Sequence, residues 1–488
     1  MNVLLINPTY HTFFSLGLSF GEPLGLAYIA AVIERDTKHH VEIIDSVGLS
    51  HDFDKKNGTM RIGLPVEEVL EMVNERDPDI IGVSLITSLY AQEVIEFLKE
   101  IKKIKPHVPL MVGGAHATLE WERCIKEPSI DIIVMGEGEQ TVVEILESIE
   151  TGSPLESVRG IVFKDKNEVP VRTAGREPVN IESLPFPARH LLPMHNYFKR
   201  RPRYYYMRHP VASMITSRAC PFNCIFCSTT LLWGRKFRGN SPKNVVDEME
   251  SLHNAYGVRE FLINDDSFTA DRSRVIGICD EIANRGLDIR YQIPPGINLH
   301  LLDEELLIKF KRSGLYVINP QFETGNPETV KYIRKPINLT KGVEIIDKAN
   351  QIGFWTKTNI ILGFPNETKE AIETTIQFIE KLNVDAVNIV LPIAYAHTDL
   401  GKDYIKHGLM APNQTAARTC DSLHFTKEQL EEIRLSATRR FNKAHMRRFL
   451  SPRYILFDFF PKINDIEKLS LFLRRMWFGV FQRFYKNI

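Results

Sequence analysis

The stretch SRACPFNCIFCST, residues 217–229, decides how the chain is read. Cys220, Cys224 and Cys227 stand in it as C-x3-C-x2-C. Thiolates are the ligands of iron–sulfur clusters, and a cubane normally takes four. Three closely spaced cysteines supply three corners and leave one iron open to another ligand. A structural zinc site pairs C-x2-C with a second, distant ligand pair, and no second pair of that spacing occurs. Six cysteines in 488 residues are few for a disulfide framework. That three of them share one short loop suits a metal site in a reducing compartment. Cysteines acting only as small buried hydrophobes would not cluster in this way. Cys124, Cys279 and Cys420 stand apart and read as structural.

Outward from this loop the chain alternates. VASMITS (211–217) leads into it as a strand. FLIND (261–265), IRYQIP (289–294), VINPQFET (317–324), TKTNIILG (356–363) and AVNIVLP (386–392) follow as strands, with amphipathic helical patterns between them. Six such units in a row suit a partial barrel, whose chemistry sits at the carboxyl ends of the strands. Asn264, Asp265 and Asp266 follow the second strand; Glu323, Thr324 and Gly325 the fourth; Gly363, Pro365 and Glu367 the fifth. Any one of these carboxylates also reads as a helix cap. Their placement after successive strands favours a shared ligand role.

Residues 1–150 alternate as well. VLLIN (3–7), VEIID (41–45), DIIGVSL (79–85), PLMVGG (109–114) and DIIVMG (131–136) read as strands buried on both faces. Helical patterns at 24–35, 66–75, 91–103 and 138–150 separate them, which argues a parallel, doubly wound sheet. Ligands on such sheets lie beyond the carboxyl ends of the strands. Asn7, Pro8, Thr9, Ser84, Thr87, Ser88, Gly113, Gly114, His116, Thr118, Gly136, Glu137 and Gly138 occupy those positions.

C-x3-C-x-aromatic-C, with Phe226 before Cys227, resembles the signature of radical SAM enzymes. The resemblance implies that Cys220, Cys224 and Cys227 hold a 4Fe–4S cluster. Its open iron would chelate S-adenosylmethionine, and Phe226 would pack near the adenine. INDDSFT (263–269) is similar to the segment that receives the methionyl amino group, through Asn264, Asp265 and Asp266. FETG (322–325), with Glu323 and Thr324, and IILGFPNET (360–368), with Gly363 and Glu367, resemble two further SAM-binding segments. Arg218 screens the cluster's charge or lies in a salt-bridged rim.

The first 150 residues resemble the cobalamin-binding domain of one large subclass. Ser84, and Gly113–Gly114 about thirty residues later, match its spacing for the nucleotide tail. Asn7, Pro8, Thr87, Ser88, His116, Gly136 and Glu137 join that set by position. Many cobalamin proteins carry a histidine as lower cobalt ligand in a D-x-H-x-x-G loop. Here Asp45-Ser-Val-Gly48 places Val47 there, so that loop supplies no histidine. His116 and His11 remain as ligand candidates, or as residues that bind phosphate, backbone or water.

The expected architecture is therefore α/β. A flavodoxin-like cobalamin-binding domain (1–150) is followed by a connector (151–210), a (β/α)6 radical SAM barrel (211–400) and a helical C-terminal region (401–488). In the connector, 160–173 alternates like a hairpin, 183–193 is proline-rich, and RRPRYYYMRH (200–209) reads as a docking strand or rim. Residues 435–453 carry six basic side chains and no acid. In LSLFLRRMWFGVFQRFYKNI, Leu469, Phe472, Leu473, Met476, Trp477, Val480, Phe481 and Phe484 recur at helical spacing, with Arg474, Arg475, Arg483 and Lys486 off that face. That helix either rests on an anionic membrane surface or packs on the barrel and closes the active site.

Lys+Arg and Asp+Glu both number 61, so charge gives no case for nucleic acid. No apolar run is long enough to span a bilayer, and the first residues read as a strand rather than a signal. A cytoplasmic enzyme is expected, possessing a small-molecule or lipid substrate and a ferredoxin or flavodoxin as electron donor. Cobalamin-dependent methylation of an unactivated carbon is the leading function. Radical cyclisation, oxidation or rearrangement is the alternative, and a non-catalytic cluster- or cobalamin-binding sensor is the alternative of another class.

Overall fold

The computed structural model describes residues 1–13, 21–50, 55–56, 59–200, 205–418 and 420–485, the side chains of 13, 55, 56 and 477–485 excepted. The chain forms two compact units, Met1–Arg201 with Leu231–Trp233, and Pro202–Thr230 with Gly234–Ile488.

The first unit is built on a seven-stranded sheet. Its order is Pro170–Arg172, Ile161–Lys164, Ile132–Val134, Leu110–Gly113, Ile80–Ser84, Asn2–Asn7, His40–Asp45. The last five are parallel and, numbered along the chain, lie as 2-1-3-4-5, the flavodoxin-like order. Alternate residues bury on opposite faces, as the period of a strand requires. Leu4, Ile6, Ile81, Val83 and Val112 meet helices Val66–Asn74 and Ala91–Ile104. Val3, Leu5, Ile80, Met111 and Ile132 meet helices Leu24–Asp36 and Glu139–Thr151. Burying each such side chain stabilises by roughly 1.5–3 kcal/mol. The 160–173 hairpin forms as expected, but both its strands complete this sheet as an antiparallel edge.

In the second unit six parallel strands neighbour one another in chain order: Val211–Met214, Glu260–Ile263, Arg290–Gln292, Val317–Ile318, Trp355–Ile361 and Ala386–Val390. A bridge from Tyr291 to Leu315 joins the third to the fourth. The helices between them start on side-chain caps: Ser241, Asp271, Asp303, Asn338 and Thr368 each accept a backbone N–H of the first turn. Each cap is worth about 1 kcal/mol. The fourth strand is shorter than the apolar run 317–324, because Pro320 has no N–H and Glu323 is left-handed at φ 61°. Pairing resumes where Glu323 N donates to Asn359 O (3.1 Å) and Ile361 N to Glu323 O (2.7 Å).

The C-terminal region contains helices Lys427–Arg448 and Ile466–Tyr485. It also contributes strand Ala416–Arg418, which pairs with Ile393–Tyr395 where only helix was expected. The last helix packs on the barrel, but at the end away from the cysteine loop. Glu467 accepts from Arg208 Nε (2.8 Å) and Arg290 Nη2 (2.9 Å), and Phe472 stacks on Trp355 with centroids 6.1 Å apart. Arg290 and Trp355 begin their strands, so this helix floors the barrel instead of closing its mouth. Leu471 is fully buried, whereas Leu469, Leu473 and Met476 are exposed, so the expected apolar face is divided. Trp477, Val480, Phe481, Phe484, Arg483 and Lys486 lie outside the described side chains, as residues 201–204 of the basic run lie outside the described chain.

Candidate active site

The cysteine loop leaves the first barrel strand at its carboxyl end. Ser217–Arg218 pairs with Arg238–Gly239, and Ala219, fully buried, turns the chain in the left-handed region at φ 71°. The loop is then pinned from beneath. Ile225 N donates to Ile333 O (3.2 Å), Leu400 N donates to Ile225 O (2.9 Å), and Ile225 buries among Ile333, Phe364, Leu400 and Tyr404. Cys220, Cys224 and Cys227 are all half-buried and close enough to feel one another's charge. Burial pushes the Cys224 thiol up to about 12, against the pull of the Lys335 ammonium. Thiolates gathered this closely repel one another, and a metal cluster supplies the positive charge that receives them. Among the described residues no three His, Cys, Asp or Glu side chains converge on a point suited to a single metal ion. A cubane does not ask for that, because each thiolate holds a different iron.

Around this mouth the predicted residues divide into two kinds. Asn264 and Asp266 are exposed. Thr229 Oγ1 donates to Asp266 Oδ1 (3.1 Å) and accepts from Cys227 Sγ (3.3 Å), so Asp266 sits beside the third cysteine. Partial desolvation by the surrounding mouth, although the residue keeps solvent contact, and the charge of Asp265 raise the Asp266 carboxyl. Glu323 is paired with Lys335 at 2.5 Å, and the pair stands next to Cys224. The Phe226 ring lies 6.3 Å from that of Phe364.

Asp265, Thr324 and Glu367 are of the second kind, buried beneath the mouth. Asp265 accepts from Thr216 N (2.6 Å), Thr216 Oγ1 (2.6 Å) and Ser217 Oγ (2.5 Å), which spends its carboxylate on one backbone N–H and two hydroxyls at the root of the loop. The Thr324 hydroxyl meets that of Thr375 at 2.9 Å. Glu367 accepts from Gly363 N (2.7 Å), Phe364 N (3.0 Å) and Thr329 Oγ1 (3.1 Å), holding Gly363 at φ 94°.

Burial raises Glu367 from 4.5 to about 7. A raised acid favours the folded state while protonated, so its contribution is full below about pH 4.5 and fades as pH rises through 7. At 1.36 kcal/mol per unit this amounts to about 3 kcal/mol. Glu367→Gln, which mimics the protonated form, is expected to flatten the decline of thermal stability between pH 5 and 8. Parallel melting curves of wild type and variant across that range would show another cause.

Lys335 escaped the sequence reading, as did Ser228 and His397, whose Oγ and Nε2 meet at 2.8 Å beside the cysteines. The one available signal was position, a lysine just past helix Pro327–Ile333 and a serine directly after Cys227.

In the first unit, Asn7, Ser84 and Gly113 end neighbouring parallel strands and share one sheet edge, with Pro8 buried just beyond. Ser84 lies level with Gly113. A Cβ at Gly113 would lie 3.6 Å from that of Val134, an ordinary contact, so the protein's own packing does not demand glycine there. At Gly114, by contrast, φ is 112° and a Cβ would meet Leu85 O at 2.8 Å. The glycine at Gly113 is thus not fixed by the protein's own packing, which fits a position kept small for a large planar ligand such as cobalamin. Gly113→Ala is expected to leave the melting temperature unchanged or slightly raised. The same change should weaken hydroxocobalamin binding about tenfold, since one methyl in a fitted site is worth roughly 1–3 kcal/mol. An unaltered absorbance titration would remove Gly113 from the site.

The other predicted residues of this edge are engaged within the protein. Thr87 Oγ1 accepts from Leu89 N (3.3 Å), and Ser88 Oγ meets His116 Nδ1 at 2.8 Å, His116 being buried. Thr118 Oγ1 accepts from Gly136 N (2.9 Å), and Glu137 accepts from Val179 N (2.7 Å). His11 is paired with Glu93 at 2.9 Å. The loop after Asp45 is sealed. Val47 is buried, Asp45 accepts from Asn7 Nδ2 (2.8 Å), Tyr197 OH (2.7 Å) and Gly48 N (3.0 Å), and Arg200 Nη1 donates to Val47 O (2.5 Å).

Comparison with known proteins follows this division. Residues 18–146 match the B12 binding domain and residues 214–379 the radical SAM superfamily. An uncharacterised methyltransferase of Pyrococcus horikoshii is 30% identical over 477 residues, 96% of each chain. The cytidylyl-2-hydroxyethylphosphonate methyltransferase of Streptomyces wedmorensis is 29% identical over 450 residues, 85% of this chain and 84% of that one. In fold, the chain is similar to the cobalamin-dependent S-adenosylmethionine radical enzyme OxsB, solved with aqua-cobalamin and S-adenosylmethionine. The TM-score is 0.69 at 14% identity, covering 99% of this chain and 75% of that one.

Proposed function

This chain belongs to the cobalamin-dependent radical SAM family, and from that premise we propose that it methylates an unactivated carbon of a small-molecule or lipid substrate. The observation that carries the proposal is the gathering of Cys220, Cys224 and Cys227 at the carboxyl end of a six-stranded parallel barrel. When bound, the cluster supplies the electron that cleaves SAM, and cobalamin carries the methyl group. The protein's part is placement. The three thiolates hold the cluster and leave one corner open. Asn264 and Asp266 offer oxygens to the methionyl ammonium, and Glu323, fixed by Lys335, closes the same mouth. Phe226 and Phe364 give the adenine an apolar wall. Ser84 and Gly113 line the cobalamin edge. A ferredoxin or flavodoxin is the expected electron donor.

Anaerobically reconstituted protein, given dithionite, SAM, methylcobalamin and a cell extract, is expected to form 5′-deoxyadenosine and a product heavier by one methyl group. A product lighter by two hydrogens would replace methylation by cyclisation or oxidation. Absence of 5′-deoxyadenosine would leave a cluster-binding sensor.

We also place a membrane contact in the C-terminal region. No described helix is long and apolar enough to cross a membrane. Yet Ile466, Leu469, Leu473 and Met476 form one exposed stripe, and Leu456, Phe457 and Phe460 another. Exposed Lys443, Arg447 and Arg453 alternate along the chain with exposed Met446, Leu450 and Leu456, a basic and apolar pairing suited to an anionic bilayer surface. The protein is expected to sediment with phosphatidylglycerol vesicles but not with pure phosphatidylcholine, and L456E/F457E to abolish this. Equal partition of wild type and variant would overturn the contact.

A further inference from the structure

Strand Trp355–Ile361 presents alternate residues to the helix layer and to the barrel lumen. Thr356 Oγ1 bonds Asn350 Oδ1 (3.1 Å) and Asp385 Oδ2 (3.1 Å) on the outer side, which turns Lys357 and Asn359 inward. The register with the neighbouring strands sets Asn319 and Gln321 on one side of them and Asn388, which is exposed, on the other. Asn359 Nδ2 donates to Gln321 Oε1 (2.6 Å) and Asn319 Nδ2 to Pro294 O (2.5 Å). The lumen face of these strands is therefore a polar amide surface rather than a packed apolar core.

Two groups on it are left over. Asn319 Oδ1 is buried without a hydrogen-bond partner. Lys357 is half-buried, and its ammonium has no hydrogen-bond acceptor or ion-pair partner among the described residues. Glu260, the buried acid of the lumen floor, is already engaged by Tyr316 OH (2.5 Å), Gln292 Nε2 (3.0 Å) and Arg208 N (2.8 Å). The charge that acts on Lys357 is instead that of Arg475, on the floor helix. Buried cations are ordinarily paired, and one kept unpaired beside a second cation is suited to an anion that arrives with the substrate.

We propose that Lys357 is the anchor for an anionic group of the substrate, a carboxylate or a phosph(on)ate, with Asn319 Oδ1 accepting a hydroxyl or amine of the same molecule. This rests on the methyl-transfer function proposed above and adds its substrate class. Burial and then the Arg475 charge bring the Lys357 ammonium down to about 8, as befits a cation lacking its counter-ion.

Reconstituted holoenzyme is titrated calorimetrically with methylphosphonate, phenylphosphonate and glutarate, and with the neutral dimethyl esters of each. Wild type is expected to bind at least one anion and none of the esters, and Lys357→Met to weaken that binding at least about tenfold. Whichever acid binds distinguishes the phosphonate from the carboxylate source. Lys357→Met is also expected to melt higher, since it removes an unpaired buried charge. A lower melting temperature would mean that Lys357 has a structural partner, and equal anion binding by variant and wild type, or binding of the esters, would overturn the assignment. Lys357→Gln repeats the comparison should the methionine variant fail to fold. 5′-Deoxyadenosine formation by wild type, measured separately, reports on the function itself, so the two can fail independently.

Discussion

Cys224→Ala is expected to abolish 5′-deoxyadenosine formation while leaving the folded chain intact. Cys224 is the most confined of the three thiols, flanked by Lys335 and Glu323 and raised furthest by burial. Its loss leaves two thiolates for a cubane that needs three from the protein. Loss of a partner behind a metal ligand costs about 10–100-fold, so loss of a ligand itself should exceed a hundredfold. The loop should survive, because Ile225 is held by Ile333 and Leu400 and not by any sulfur. The measurements are iron and sulfide content, the visible absorbance of the anaerobic protein, and 5′-deoxyadenosine by mass spectrometry, alongside circular dichroism. A variant with full iron content and turnover would end the assignment of the cluster to this loop.

Asp265→Ala is expected to act on stability first. Its carboxylate takes three donors at the root of the cysteine loop, and Thr216, one of them, also receives Arg274 Nη2 at 2.7 Å on its hydroxyl and on its carbonyl. Deletion strands those buried donors and loosens Thr216, on which Arg274 also rests. Each buried donor left unsatisfied costs roughly 1–3 kcal/mol. Thermal melts of the cluster-free protein without SAM should show the whole effect. Asp266→Asn, one residue on, should leave those melts unchanged and weaken SAM binding alone. If the two variants exchange these behaviours, the division between brace and contact is wrong.

That pair marks where sequence stops being informative. Asp265 and Asp266 are adjacent, have the same chemistry and follow the same strand, and both suit an ammonium. Only the direction of the chain leaving Glu260–Ile263 turns one beneath the loop and the other into the mouth. Glu367 is ambiguous in the same way, since a buried carboxylate that gathers backbone N–H groups leaves the same letters as one that gathers a ligand. The strands of both sheets were legible because short apolar runs buried on two faces have few other uses, and the caps at Ser241, Asp271, Asp303, Asn338 and Thr368 mark the helices between. Lys335 and Lys357 were not, because an isolated lysine shows its partner, or the lack of one, only in space. The 160–173 hairpin was visible as a hairpin, but nothing local says which sheet edge it completes.

The floor of the barrel has a consequence for how the protein is made. Arg208 reaches Glu467 across 259 positions of chain. Strands synthesised early therefore wait for the helix that floors them until its residues have left the ribosome. Contacts of such long range are slow to form and expose apolar surface meanwhile. The second unit thus cannot complete its floor before residues 466–475 arrive, and until then the apolar surface they cover stays open to wrong partners.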